Sequence, residues 1–208
     1  MIQYHKIKTV FKRDPETKFK TLLTRHYSIP EFEYLKDNIW VFTEKVDGMN
    51  IRVMWDGVAV TFGGKTDRAN IPQNLVNRLT ERFQTPMLKE KFGEDESICL
   101  YGEGYGAGIQ KGGSYRPDQD FVLFDVKIGD WWLQRNDVED VAHSLGIDIV
   151  PILGEGTLAD MVEMASEGFH SIWGSCIAEG IVARPATELK TRSGQRVITK
   201  IKYKDFVR

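Results

Sequence analysis

The strongest constraint on this chain is a series of short β-prone runs, most of which close on a charged residue or a turn. They read "WVFTEK" (40–45), "NIRVMWDG" (50–57), "VAVTFGG" (58–64), "SICLYGEGY" (97–105), "DFVLFDVKIGD" (120–130), "CIAEGIVARP" (176–185) and "QRVITKIKY" (195–203). Branched and aromatic residues that alternate with polar ones between Gly and Asp clusters predict strands, with Asp56-Gly57 as a tight hairpin. Helical spacing is confined to three places. One is 72–92, interrupted at Pro86; one runs through "VEDVAHSLG", capped by Asn136 or Asp137 and ended by Gly146. The third starts at Thr157, with Asp160 three residues on as a capping-box partner, and runs to Gly168. The first forty residues read as irregular, with Pro15 and Pro30 as breakers and a short turn of helix in "EFEYLKDN". Many antiparallel strands with few helices predict an α+β fold. No repeat or Pro/Gly/Ser-rich linker divides the 208 residues, so they read as one domain.

Composition excludes several classes. Cys99 and Cys176 stand alone and the four histidines are scattered, which argues against a zinc site or a disulfide framework. The N-terminus "MIQYHKIKTVFKRD" is charged from the start, so it is no secretory leader, and no run is apolar for long enough to span a bilayer. A soluble, cytoplasmic protein is expected. The net charge of −2 hides an asymmetry. Residues 1–25 hold seven basic and two acidic side chains, a net of +5; residues 184–208 hold eight and two, a net of +6. Two basic ends on an acidic middle fit a protein that meets a polyanion.

The chemistry gathers at the strand ends. In "FTEKVDGMNIRV" a lysine, Lys45, stands between Glu44 and Asp47 and is followed at once by a turn. Two phosphate signatures fail: "VAVTFGGKT" has Ala59 where a P-loop needs glycine, and "GEGYGAG" never satisfies G-x-G-x-x-G. What remains is Glu103 at the end of an apolar strand in a glycine-rich run that would let backbone approach a ligand, Asp125 inside a strand that should be buried, and Glu179 ending a strand that returns a cation at Arg184. Lys200 and Lys202, two apart, share a strand face. Singly, each has an ordinary reading: Asp-Gly and Glu-Gly as turns, Lys-x-Lys as a solvated sheet face. Together they describe a pocket with cations for a triphosphate, carboxylates for a ribose and a magnesium ion, and Phe124 as a ring for a base. A lysine beside other lysines has its pKa lowered by like charge, which makes its amine more nucleophilic.

In this order and spacing the motifs resemble the covalent nucleotidyltransferase superfamily (polynucleotide ligases and RNA capping enzymes), and are most similar to the RNA ligase 2 type of ATP-dependent RNA ligases. The resemblance runs from Lys45 to Phe206. It implies a ligase-type nucleotidyltransferase domain over 1–208, of antiparallel sheets flanked by helices and unrelated to ATP-grasp. The expected domain carries no oligonucleotide-binding barrel after the last lysine motif. Lys45 would take AMP from ATP as a lysyl phosphoramidate. Glu44 would lie near the adenine and Asn50 near the phosphate, with Lys65 or Arg68 as a cation on the AMP phosphate. Glu103 would bind the ribose; Phe124 would stack on adenine with Asp125 in the same pocket. Glu179, with Glu103, would place Mg2+ or Mn2+, Lys200 and Lys202 would hold the phosphates, and Arg184 would belong to the cofactor site. Asp47 departs from the histidine usual in this type, and Arg184 from its lysine. The implied substrate is nicked or broken RNA with 5′-phosphate and 3′-hydroxyl ends, sealed by a monomer. Asp47 and Arg184 favour the alternative of DNA nick sealing; a nucleic-acid-binding pseudo-ligase is a further alternative.

Overall fold

The computed structural model describes residues 3–94 and 97–207. In chain order the elements are β1 (Lys8–Thr9), β2 (Phe11–Arg13), β3 (Leu22–Tyr27), α1 (Pro30–Tyr34), β4 (Trp40–Lys45), β5 (Met49–Trp55), β6 (Val60–Gly63), α2 (Gln73–Arg82), α3 (Thr85–Phe92) and β7 (Ile98–Gly106). There follow β8 (Gln119–Ile128), β9 (Trp131–Trp132), α4 (Arg135–Leu145), β10 (Asp148–Ile149), β11 (Ile152–Gly156), α5 (Leu158–Glu167), β12 (Gly180–Pro185) and β13 (Thr199–Lys202). The fold is α+β, as the strand pattern requires. Its strands and helices divide between two compact units: a central unit of Met1–His5 with Asp47–Val150, and a terminal unit of Lys6–Val46 with Pro151–Arg208.

The terminal unit is built on a five-stranded sheet in the order β1-β13-β12-β4-β11, antiparallel except for the β1–β13 pair. On β4 burial alternates strictly: Trp40, Phe42 and Glu44 face inward, while Val41, Thr43 and Lys45 are half-exposed. The inner face packs Trp40, Phe42, Ile181, Ala183 and Ile201 against Leu158, Met161 and Ala165 of α5. The spacing of those three α5 residues sets one apolar stripe on the helix. The central unit carries a sheet in the order β10-β8-β7-β5-β6, with β9 also paired to β8. Ile51, Val53 and Trp55 of β5 share its core with Leu75 and Leu79 of α2 and Val138, Ala142 and Leu145 of α4. Among the described residues no helix is long and apolar enough to cross a membrane.

Several expectations need correction. The first forty residues are not irregular: β2 and β3 form an antiparallel hairpin, and β1 pairs in parallel with β13. Two- and three-residue strands carry no period that a sequence pattern can reveal. The break in 72–92 falls at Phe83-Gln84, and Pro86 sits in the first turn of α3, where its missing N–H costs nothing. The residue capping α4 is Gln134, which leaves Asn136 and Asp137 inside the helix, while Gly146 closes it in the left-handed conformation. Glu103 lies within β7 rather than at its end, and Glu179 precedes β12 rather than ending a strand.

The capping box of α5 is present: Thr157 Oγ1 accepts from the Asp160 N–H at 3.2 Å, and the Asp160 carboxylate accepts from the Thr157 N–H at 2.7 Å. Replacing Thr157 by Ala is expected to cost about 1 kcal/mol in urea denaturation. An unchanged midpoint would show that the cap contributes nothing.

Candidate active site

In the terminal unit the site follows from strand register. Gly180 of β12 is the partner of Lys45 on β4 and of Lys202 on β13. Directly opposed residues point to the same face. The outer face therefore presents Lys45 on one side, Lys200 and Lys202 on the other, and Arg184 further along β12. Gly180 must lack a side chain, because a Cβ there would lie 2.1 Å from the Ile201 carbonyl oxygen. One residue earlier, the part-buried Glu179 carboxylate accepts hydrogen bonds from Lys45 Nζ at 2.5 Å and from Lys202 Nζ. Burial pushes the Glu179 pKa up, but Lys45 and Lys202 outweigh it and hold the carboxyl below its usual range, ionised at neutral pH. Arg184 lies 3.8 Å from Glu188. The result is a row of four cations on one face, two of them bonded to one part-buried carboxylate, a charge pattern suited to phosphates.

Glu44 behaves differently from its neighbour. Alternation on β4 turns it to the inner face, where it is 1% exposed. Its Oε2 accepts from the Ile172 N–H at 3.4 Å, and Ser171 also bonds the carboxylate. Its Oε1 is buried with no hydrogen-bond partner among the described residues. Burial raises its pKa despite those two bonds. A buried acceptor without a donor is costly, and an amine-bearing ligand would satisfy it.

In the central unit Asn50 of β5 and Glu103 of β7 are direct partners. The Asn50 Oδ1 is buried and has no partner among the described residues. In this orientation the oxygen would accept from a hydroxyl; with the amide turned over, the nitrogen would donate to a phosphate oxygen. The β7–β8 register slips between Tyr101 and Gly102, where Leu123 and Asp125 occupy successive pairings and Phe124 is the extra residue. Leu123 and Val126 face the core, so this β-bulge turns Phe124 and Asp125 together to the other face. Both meet Tyr4: its hydroxyl donates to Asp125 Oδ2 at 2.7 Å, and its ring is 5.1 Å from Phe124, edge-on. The glycines of "GEGYG" serve the fold, not a ligand. A Cβ at Gly102 would strike the Phe121 ring at 2.3 Å, and one at Gly104 would strike Leu75 at 2.4 Å. Lys65 and Arg68 are exposed on the loop after β6. Its base is held by buried Arg52, which donates to the Gly64 carbonyl at 2.9 Å and pairs with Asp67 at 2.7 Å.

Among the described residues no group of three or more His, Cys, Asp or Glu side chains could hold a metal ion. Glu179 can contribute one oxygen ligand and Glu103 another, and neither belongs to a ready-made cage. Burial pushes the Cys99 thiol up to about 11, so it is no nucleophile near neutral pH.

Comparison with known proteins identifies the family and the fold. The family model described as RNA ligase matches residues 38–202, from before β4 to the end of β13. The chain belongs to the RNA ligase family. Naegleria gruberi RNA ligase is similar in fold: a ligand-free form superposes with a TM-score of 0.67 at 18% identity, covering 98% of this chain and 58% of that one. A form with ATP and Mn gives 0.66 at 18% identity over 98% and 59%, and one with AMP and Mn gives 0.66 at 18% over 96% and 57%. This chain thus spans a little under three-fifths of that ligase's length. No curated protein matches the chain significantly.

Within the RNA ligase family fold, the structure joins Lys45, Glu179 and Lys202 directly, with Lys200 and Arg184 on the same face, and it pairs Asn50 with Glu103. It also adds partners that motif reading missed. Arg52 carried a signal, a cation in mid-strand; Tyr4, Ser171 and Ile172 carried none. The Glu44 arrangement gives a pH prediction. A carboxyl whose folded pKa is raised is favoured when protonated, so its contribution is greatest below the unfolded value of about 4.3 and is lost as pH rises through the folded pKa. Glu44→Gln should therefore gain melting temperature relative to the parent between pH 4 and pH 8, and an equal difference at both pH values would refute the sign.

Proposed function

We propose that residues 1–208 act as one nucleotidyltransferase domain of an ATP-dependent RNA ligase, working through a lysyl-AMP intermediate. The observation that carries this reading is Glu179 set between Lys45 and Lys202, in a chain of the RNA ligase family. Forms of the Naegleria gruberi ligase with ATP and Mn and with AMP and Mn support ATP as the nucleotide.

In the first step Lys45 Nζ attacks the α-phosphorus of ATP. An N–P bond forms, the bond from the α-phosphorus to the bridging oxygen breaks, and pyrophosphate leaves with the electron pair. The ammonium must shed a proton before attack, and Glu179 Oε2 is the acceptor within reach. Lys202, Lys200 and Arg184 compensate phosphate charge, which is most of what phosphoryl transfer asks of a protein. In this reading the terminal unit offers Glu44 Oε1 as an acceptor for an adenine amine; the central unit, for its part, offers Phe124 and Asp125 for the base, Glu103 for the ribose, and Asn50 with Lys65 or Arg68 for the α-phosphate. Glu179 and Glu103 would hold Mg2+ or Mn2+. Such an ion needs few protein ligands, since magnesium keeps waters and binds substrate phosphates. When bound it would supply further charge compensation.

AMP then passes from Lys45 to an RNA 5′-phosphate. The 3′-hydroxyl attacks that phosphate, AMP leaves, and the strand is sealed, by a monomer in the cytoplasm. Sealing of nicked DNA is the second reading, favoured by Asp47 and Arg184. Intact mass spectrometry with ATP, GTP or NAD should give a one-adenylate shift with ATP alone. Lys45→Ala should remove it fully, and Lys202→Ala should slow it about a hundredfold. A labelled Lys45→Ala protein would sink the nucleophile assignment, and faster sealing of nicked DNA than of nicked RNA would replace the first reading by the second.

A further inference from the structure

The β2–β3 hairpin carries two local costs that its own packing does not explain. Its loop holds Lys18 and Phe19 in the left-handed backbone region, at φ 54° and 61°, and Arg25 on β3 is left-handed at 70°. Bulky residues rarely adopt this conformation, and such strain persists only where surrounding structure enforces it. Phe19 is also 62% exposed, so its ring gains little from burial.

The enforcement is visible. The Phe19 N–H donates to the Asp14 carbonyl at 2.9 Å, the Lys18 N–H to the Pro15 carbonyl at 3.0 Å, and the Thr21 N–H to Thr17 Oγ1 at 3.1 Å. Arg13 reaches under the loop to the Phe19 and Lys20 carbonyls at 3.4 Å each, and Asp205 fixes that guanidinium with bonds of 2.8 and 3.0 Å. At the base Phe11 and Leu22 are buried, and the Phe11 ring lies 5.3 Å from that of Tyr27. The hairpin is thus anchored at its base and braced at its tip, while Lys18, Phe19 and Lys20 stand out into solvent.

Its charge is one-sided. Lys12, Lys18, Lys20 and Arg25 are exposed, and none makes an ion pair among the described residues. The only acidic residues between Phe11 and Tyr27 are Asp14 and Glu16, and the Asp14 side chain accepts from the Glu16 N–H at 2.9 Å. An aromatic ring flanked by two lysines, held in place before any partner arrives, matches the chemistry of nucleic-acid contact. Cations meet phosphates, and a ring offers a stacking surface to an unpaired base.

We infer that this hairpin is an RNA-docking element, with Phe19 stacking on an unpaired base and Lys12, Lys18 and Lys20 contacting the backbone. The inference rests on the RNA ligase reading for its choice of RNA. The test is fluorescence anisotropy of the full chain with two labelled probes across about 50 to 300 mM KCl. One probe is an RNA duplex with a 5′-phosphorylated nick, the other the same duplex with a single-stranded overhang. Reversing Lys12, Lys18 and Lys20 to Glu should weaken binding at least tenfold and flatten the salt slope by about 2 to 3. Phe19→Ala should weaken overhang binding by about 5- to 100-fold and leave the slope unchanged. Phe19→Gly suits the left-handed backbone and must behave in the same way, while melting curves confirm that each variant is folded.

Reversing Lys89 and Lys91 on α3 is the control and should change affinity less than twofold. Parent-like binding by the tip variants, an equal loss in the control, or no RNA binding by the parent overturns the inference. Adenylylation is scored separately on the same samples. A parent that never labels but binds RNA through the tip defeats the ligase reading and leaves the hairpin standing; a parent that labels while tip variants bind normally does the reverse.

Discussion

One part-buried carboxylate organises the chemistry of the terminal unit. Glu179 is ionised because two ammonium groups meet it, and those groups can meet it only because Lys45, Gly180 and Lys202 stand in register across three strands. Taking an ion even partly out of water is expensive, and removing either lysine would leave the carboxylate less well compensated. Register and charge therefore enforce each other. A one-residue slip of β4 would turn Lys45 inward and Glu44 outward. It would strand Glu179 beside Lys202 alone and bring a second carboxylate to the same face. The missing side chain at Gly180 lets the β13 backbone lie close to β12, since a Cβ there would strike the Ile201 carbonyl.

The central unit uses a different device for a similar end. A regular strand would send Phe124 and Asp125 to opposite faces of the sheet. The bulge leaves one residue unpaired and so puts a ring and a carboxylate side by side. Tyr4 then fixes both, one through its hydroxyl and the other through its ring edge. Arg52 plays a comparable part at the loop after β6, where a buried guanidinium holds backbone and an exposed carboxylate together.

Much of this was legible in the sequence wherever its cause is local. Alternation in "WVFTEK" marked β4 with its ends correct, and Thr157 with Asp160 marked the start of α5, because period and capping are written within a few residues. The motif lysines and glutamates were legible as types and order. What stayed hidden depends on distant partners. β1 is two residues long and exists because Thr199 and Lys200 pair with it from the far end of the chain. Tyr4 finds Asp125 across 121 positions. The glycine-rich run misleads because Gly102 and Gly104 look the same whether they admit a ligand or a neighbouring side chain, and here Phe121 and Leu75 occupy the space.

The division of the chain has a consequence for its synthesis. Residues 47–150 are contiguous and can gather most of the central unit's core as soon as they emerge. β4 cannot behave in that way. It is made early, yet its sheet neighbours are β11 and β12, which arrive more than a hundred residues later. Until then its apolar face, with Trp40 and Phe42, has no sheet to join, and both strand edges stay open. Lys45 is thus among the first functional groups translated and among the last to meet its carboxylate. A nascent chain stalled before Glu179 would carry the lysine without the group that balances its charge, so pairing waits until the 134 residues from Val46 to Glu179 have been added.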